Sequence, residues 1–171
     1  MNPAISKVTQ AEEVAAVASL AEQIWREHFT AIIGADQVAY MLEKYQSPTA
    51  IASQLSNGTE YYMAQVDGNP VGYTAIIPDR SNSRMMISKL YVRRDRRGGG
   101  VGAGLLAHIE QECEKRQLGK LWLTVNRFND GPIQWYLRRG FHKVDEVKKA
   151  IGGGFYMDDF IMEKYLSRRK V

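Results

Sequence analysis

The sequence predicts an α/β fold built as one domain, and three observations carry that expectation. Strand-like and helix-periodic stretches follow one another in the order β, helices, β-hairpin, β, α, β, α, β, β. No repeat or low-complexity linker interrupts the 171 residues, a length that suits one domain with a core of its own. A strand, a glycine-rich turn and a helix run from Met85 to Glu114 and lead into a further strand, Leu121–Val125. Strands joined through such a helical crossover are expected to be parallel neighbours.

Each element has a local reason. Ala4 to Val8 is a short strand candidate. Thr9 precedes Glu12 with capping-box spacing, and Val14, Val17, Ala21, Ile24, Trp25 and His28 recur at helical spacing, predicting an amphipathic helix over 10–29. Gly34 interrupts, and a second helix spans Ala35 to Gln46 with Val38, Met41, Leu42 and Tyr45 on one side. Ser47-Pro48 is an N-cap with proline at the first helical position; the short helix it opens reaches Leu55 and ends at Ser56-Asn57-Gly58. Tyr61–Val66 and Val71–Ile77 form a hairpin around Asp67-Gly68-Asn69-Pro70. Pro78 to Ser83 is a polar connection, and Met85–Val92 is the next strand. A helix from about Val101 to Arg116 ends at Gly119. Asn129-Asp130-Gly131-Pro132 opens a helix over 132–139, which Gly140 stops. Phe141–Ile151 and Phe155–Tyr165 are strands around Gly152-Gly153-Gly154.

Composition narrows the function classes. A hydrophobic content of 44% and a charged content of 25% are ordinary for a soluble protein. No apolar run approaches the ~18–20 residues of a membrane span, so no membrane partner is expected. The start, MNPAISKVTQ, lacks an apolar signal core, and Cys113 has no partner for a disulfide; both fit a cytoplasmic protein. The net charge of +4 is concentrated in Arg93, Arg94, Arg96 and Arg97 and in a tail, Arg168, Arg169 and Lys170, that reads as a solvated terminus.

The arginine cluster leads straight into Gly98-Gly99-Gly100 and a helix start. Glycines admit a ligand close to the backbone, and helix N-termini carry partial positive charge, so the stretch reads as a phosphate site rather than a plain solvated loop. A Walker A loop is excluded because no Lys-Ser/Thr pair follows the glycines. Gly98, Gly100 and Ala103 match G-x-G-x-x-A, but the next strand ends Val125-Asn126 with no acidic residue for a ribose. A nucleic-acid patch would use the arginines without needing the strand–turn–helix.

Arg97-Gly98-Gly99-Gly100-Val101-Gly102 resembles the R/Q-x-x-G-x-G/A motif of the GNAT-type acyl-CoA N-acyltransferases, placed as in that family between the Leu90-Tyr91-Val92 strand and a helix. A second block, Leu123-Thr124-Val125, then Asn129, Tyr136 and Gly140-Phe141, is similar to the family's downstream pattern. Together the blocks cover 85–141; Pro132 departs from a position where the family often has alanine. The resemblance implies a single GNAT-like domain over 1–171, with a mixed, mostly antiparallel sheet, a parallel central pair and flanking helices.

It further implies an acetyl-CoA-dependent N-acetyltransferase, with acetyl-CoA as the acyl-donor cosubstrate and no metal. The turn from Arg97 through Gly98, Gly99, Gly100, Val101 and Gly102 to Ala103 would hold the pyrophosphate, with flanking arginines in reach of the ribose phosphate. Leu90, Tyr91 and Val92 would pair with the pantothenate arm, Asn129 would position it, and an N–H near Val92 would meet the developing oxyanion. Tyr136 is the implied general acid and also a cofactor contact; without the resemblance it reads as a core aromatic beside Trp135. Asn129 reads equally as an N-cap. The base is open among His28, Glu27, Glu60 and the Asp158-Asp159 pair, whose adjacent side chains face opposite ways in a strand. A lone histidine on an apolar stripe is more often structural, and the acidic pair could be an exposed edge.

By the same resemblance the acceptor side comes from the N-terminal helices and last hairpin. Trp25, His28, Phe29, Tyr156 and Asp158 are the expected substrate contacts, with Tyr40, Tyr45 and Phe155 nearby in sequence. The acceptor would be a primary amine, on a small molecule such as a polyamine or on a peptide or protein. Nucleic acid is not an expected partner, and a homodimer is left open. The competing functions are a catalytically inactive acyl-CoA-binding regulatory module and a nucleic-acid-binding protein using Arg93–Arg97.

Overall fold

The computed structural model describes residues 2–166, so the Arg168–Lys170 tail lies outside the described residues. The described residues form seven strands and five α-helices: β1 (Ala4–Lys7), α1 (Ala11–Ile33), α2 (Ala35–Tyr45), α3 (Pro48–Ser56), β2 (Glu60–Val66), β3 (Asn69–Asp79), β4 (Arg84–Val92), α4 (Val101–Lys115), β5 (Lys120–Asn126), α5 (Asp130–Arg138), β6 (His142–Gly152) and β7 (Phe155–Tyr165). The strands make a seven-stranded mixed sheet in which β4 and β5 are parallel and β1–β2, β2–β3, β5–β7 and β6–β7 are antiparallel. This is the α/β class with the parallel pair that the crossover predicts. Among the described residues no helix is long and apolar enough to cross a membrane.

Several boundaries differ from expectation for identifiable reasons. The capping box of α1 is Gln10 with Glu13, one residue later than Thr9 with Glu12; the Glu13 carboxylate accepts from the backbone N–H of both Thr9 and Gln10. The helix then runs on to Ile33, because Gly34 at φ 86° is the first residue to leave helical geometry. Ser47 caps α3 as expected, its hydroxyl accepting from the Ala50 N–H at 3.1 Å. The β2–β3 turn is tighter than the four residues expected. Asp67 (φ 52°) and Gly68 (φ 77°) make it alone, and Asn69 and Pro70 already pair with Val66 and Gln65. Helix α4 ends on a left-handed Gln117 (φ 58°) rather than at Gly119, with the Leu118 N–H returning to the Cys113 carbonyl at 2.9 Å.

The chain folds as two compact units. The first comprises the chain up to Ile77 and Lys89–Ile109; the second comprises Pro78–Ser88 and the chain from Glu110 onward. Strand β4 therefore gives Lys89–Val92 to the first and Arg84–Ser88 to the second. In the first unit the apolar stripe of α1 (Val14, Val17, Leu20, Ala21, Ile24) is buried, as are the large side chains of β2 and β3. In the second, Met85 and Ile87 of β4, Leu121, Leu123 and Val125 of β5 and Met162 of β7 are buried, and the Cys113 thiol lies 3.5 Å from the Met85 sulfur. The β4–β5 ladder is short, pairing Arg84–Met86 with Lys120–Trp122.

Candidate active site

In the first unit, β4 ends at Val92 and a 3-10 turn, Arg94–Arg96, carries the chain to the glycines. Gly98 and Gly100 adopt φ of 81° and 88°, values that disfavour a side chain. The first helical bond of α4 runs from the Gly104 N–H to the Gly100 carbonyl at 2.9 Å. The amides of Val101, Gly102 and Ala103 precede it and have no helical acceptor, so this end of α4 presents N–H donors and the positive end of the helix dipole. Close packing fixes the turn in place. Val101 and Leu105 are buried with Ala64, Val66 and Val71, and Leu90 and Val92 pack against that cluster. Gly72 makes this possible: a Cβ there would stand 2.9 Å from the Tyr91 carbonyl oxygen and 3.2 Å from Val101 Cγ1. The Arg93 N–H also donates to the Val71 carbonyl at 2.8 Å.

The arginines beside the turn are largely engaged within the protein. Arg93 forms a two-point pair with Asp95, at 3.1 and 2.8 Å. Arg94 donates to the Glu27 carbonyl of α1 at 2.5 Å. Arg97 donates to the Val92 carbonyl at 3.2 Å and lies 3.4 Å from His28 Nδ1; burial and the charge of Arg94 lower its pKa. Because a guanidinium only donates, Nδ1 accepts there and the neutral imidazole carries its proton on Nε2. A groove of about 510 Å³ lies beside the turn, lined by Gln23, Glu27, Arg93, Arg94 and Asp95. Two carboxylates balance its two guanidiniums, so it is no anion trap.

Strand β4 also carries Lys89, which is 6% exposed. Its ammonium donates to the Tyr45 carbonyl (2.5 Å), to Gln54 Oε1 (3.0 Å) and to the Tyr61 hydroxyl. Burial lowers its pKa from 10.5 to about 7, against the pull of three acceptors that favour the charged form.

In the second unit, Asn129 is buried at the N-cap of α5, but its side chain makes no capping bond; the cap is the Asn129 carbonyl, which accepts from the Ile133 N–H at 3.1 Å. Tyr136 is buried about two turns further on, its ring 5.2 Å from Phe141 and 5.1 Å from Trp135. Burial raises its phenol pKa well above the ordinary value, so it stays protonated at neutral pH. Gly140 at φ 93° turns the chain so that the Phe141 N–H reaches the Tyr136 carbonyl at 3.1 Å. On β7, Asp158 pairs with Arg127 at 2.8 Å. Asp159 is buried opposite Asn126 of β5; burial, then the neighbouring Asp158 charge, raise its pKa from 3.8 to about 6, while a hydrogen bond from Thr124 acts the other way.

Residues 17–141 match the Acetyltransferase (GNAT) family. The chain belongs to that family. It is an acetyl-CoA-dependent N-acetyltransferase, and the acceptors of this family are amines. An uncharacterized N-acetyltransferase in the pepI 3' region of Lactobacillus delbrueckii subsp. lactis is 26% identical over 154 residues, 84% of this chain and 88% of that one. A streptothricin acetyltransferase of Streptomyces lavendulae is 35% identical over 75 residues, 44% of this chain and 40% of that one. The fold matches the PaiA N-acetyltransferase of Thermoplasma acidophilum, solved in complex with coenzyme A, with a TM-score of 0.80 at 21% identity over 97% of this chain and all of that one.

In this GNAT chain the expected site residues separate into groups. His28 and Arg97 meet in the first unit, next to the turn. Trp25 and Phe29 are buried and stack at 4.2 Å, with Tyr91 edge-on to both, so they build the wall behind β4 and offer no surface to an acceptor. Asn129 and Tyr136 share α5 in the second unit. Tyr156 is 54% exposed near the β6–β7 turn, with the Lys148 ammonium 5.3 Å from its ring centre. Glu60 faces Lys7 at 3.4 Å. Three residues went unread in the sequence: Gly72, Lys89 and the burial of Asp159 as against Asp158. Lys89 had a signal, since Met85, Ile87 and Lys89 occupy one alternating register of β4, and that register is the buried one. Among the described residues no three His, Cys, Asp or Glu side chains gather as a metal site.

Proposed function

We propose that residues 1–171 work as one N-acetyltransferase domain that acetylates a primary amine, on a small molecule such as a polyamine or on a peptide. The observation that carries the reading is the turn at Gly98–Gly100, whose left-handed glycines lead into the unpartnered first amides of α4. Donors of that kind fit a diphosphate. In this reading the amides from Arg97 to Ala103 hold the pyrophosphate of acetyl-CoA, the Leu90–Val92 backbone and Asn129 hold the pantothenate arm, and an N–H near Val92 meets the oxyanion. When bound, acetyl-CoA supplies an acetyl thioester open to attack by a neutral amine. Tyr136 gives its phenolic proton to the departing sulfur, and its burial supports that role by keeping the proton in place. Asp159 takes the proton that the amine loses; a carboxyl near pKa 6 is suited to accept one at neutral pH, whereas Asp158 is held by Arg127. The lone pair of His28 Nδ1 is occupied by Arg97, and His28 serves as a positioning partner of that side chain.

Replacing Tyr136 with phenylalanine tests the acid. Turnover is expected to fall by roughly 10²-fold or more, the scale of general acid catalysis, while coenzyme A still raises the melting temperature as it does in the wild type. Wild-type turnover in that variant removes Tyr136 from the mechanism. A transfer screen over polyamines, peptide N-termini, amino sugars and streptothricin identifies the acceptor; the last is included because of the partial match to a streptothricin acetyltransferase. If no primary amine in any of these classes is acetylated, the acceptor class proposed above is wrong.

A further inference from the structure

Among the described residues strand β6 ends the strand order, next to β7 alone, and every residue from His142 to Ala150 is exposed. Its register with β7 is interrupted at Val144 and again at Ile151, leaving Asp145–Ala150 as a regular stretch between two bulges. A free edge of this length is a template for pairing with another chain. Its own sequence, Asp145-Glu146-Val147-Lys148-Lys149, settles which chain fits. Laid antiparallel on a second copy about a two-fold at Val147, it sets Asp145 opposite Lys149, Glu146 opposite Lys148 and Val147 opposite itself. Applied from both copies, the two-fold makes four unlike-charge pairs and no like-charge pair. Opposed residues of antiparallel strands share a face of the sheet, so the two-fold passes through a residue and not between two; moved to Asp145, Glu146, Lys148 or Lys149 it puts that charge opposite itself. Directly opposed unlike charges support a strand pair, and like charges disrupt it. Among the described residues, Asp145, Lys148 and Lys149 make no ion pair within the chain; Glu146 is paired with Lys143 at 2.5 Å and lies 3.5 Å from Arg127.

We propose that β6 is a self-complementary docking edge through which two copies of this chain pair antiparallel about Val147, joining their sheets across the two-fold. Charged side chains on an edge strand also serve to keep other chains away; what distinguishes docking is the charge order, which suits one register of the chain with itself.

Sedimentation equilibrium on the full chain tests this without reference to catalysis. Wild-type protein is expected to dimerise, more weakly as salt is raised. Lys148→Glu with Lys149→Glu turns all four pairs acidic, and Asp145→Lys with Glu146→Lys turns all four basic, so each double variant is expected to be monomeric. Mixed one to one, the two variants again oppose unlike charges at all four positions and are expected to form a heterodimer. That recovery also shows that both variants are folded. A monomeric wild type, a dimer in either variant alone, or a mixture that stays monomeric overturns the proposal.

Discussion

Replacing Lys89 with methionine is expected to leave the protein as stable at pH 7, or to make it more stable. A buried salt-bridge or ammonium partner is usually costly to delete because its acceptors are left unpaired. Here they are not: the Tyr61 hydroxyl still donates to Gln54 Oε1 at 2.5 Å, and Gln54 Nε2 still donates to the Tyr45 carbonyl at 3.0 Å. What the variant removes is a buried charge. A fall in pKa from 10.5 to about 7 corresponds to at most about 5 kcal/mol at 1.36 kcal/mol per unit, and the three donated bonds reduce that figure. The pH dependence has a definite sign. Between pH 7 and 10.5 the unfolded chain binds the proton that folded Lys89 releases, so this group's destabilising contribution is full below pH 7 and fades as pH rises. Urea denaturation of both proteins from pH 7 to 10 reads it as a gap that narrows with pH. A methionine variant less stable by more than about 2 kcal/mol at pH 7, the cost of orphaning buried partners, would refute the reasoning. Tyr61→Phe, which takes an acceptor from the ammonium, is the contrasting change and should destabilise by about 1–3 kcal/mol.

Asp159→Asn is expected to raise stability above pH 6. A carboxyl raised from 3.8 to about 6 disfavours the folded state once ionised, by up to about 3 kcal/mol, and the gap should close as pH falls towards 4. Thermal melts across pH 4–8 measure it, and a flat difference would remove the assignment; turnover should fall in the same variant if Asp159 is the base. Gly72→Ala puts a methyl group 2.9 Å from the Tyr91 carbonyl oxygen, which is backbone and cannot swing away. A loss of about 1–3 kcal/mol and a smaller melting shift with coenzyme A should appear together in thermal melts; an unchanged pair would mean that the turn does not depend on this contact.

The strand–turn–helix was legible because its signals are local. Arg97 to Gly102 is contiguous; of the two glycines that the R-x-x-G-x-G spacing singles out, Gly100 takes the left-handed backbone and Gly102 lies in α4, while the left-handed Gly98 falls at a position the spacing leaves open. The hairpin at Asp67-Gly68 was legible for the same reason, and its length was overread only because Asn69 and Pro70 are themselves turn formers. Tyr136 enters the proposed mechanism only through the second block, since one aromatic on a short helix is indistinguishable from core. Properties that depend on register were hidden. Asp158 and Asp159 look alike in sequence, and only the pairing of Asp159 with Asn126 and its burial separate them. Lysine in a strand ordinarily reads as solvated; the three acceptors that let Lys89 stay inside come from α2, α3 and β2, which no local pattern brings together.

The arginine cluster carries a different lesson. Four guanidiniums ahead of three glycines read as an electrostatic attractor for phosphate. Three of the four have other work: Arg93 closes on Asp95, Arg94 ties the turn to the Glu27 carbonyl, and Arg97 holds the Val92 carbonyl and His28. They shape the turn, and in the proposed function the holding of a diphosphate falls to backbone amides, which no side-chain substitution removes. Changes at Arg94 or Arg97 would then act by moving the turn rather than by subtracting a charge. Their effect on coenzyme A affinity should be insensitive to ionic strength, since a lost phosphate contact weakens with salt and a displaced amide does not.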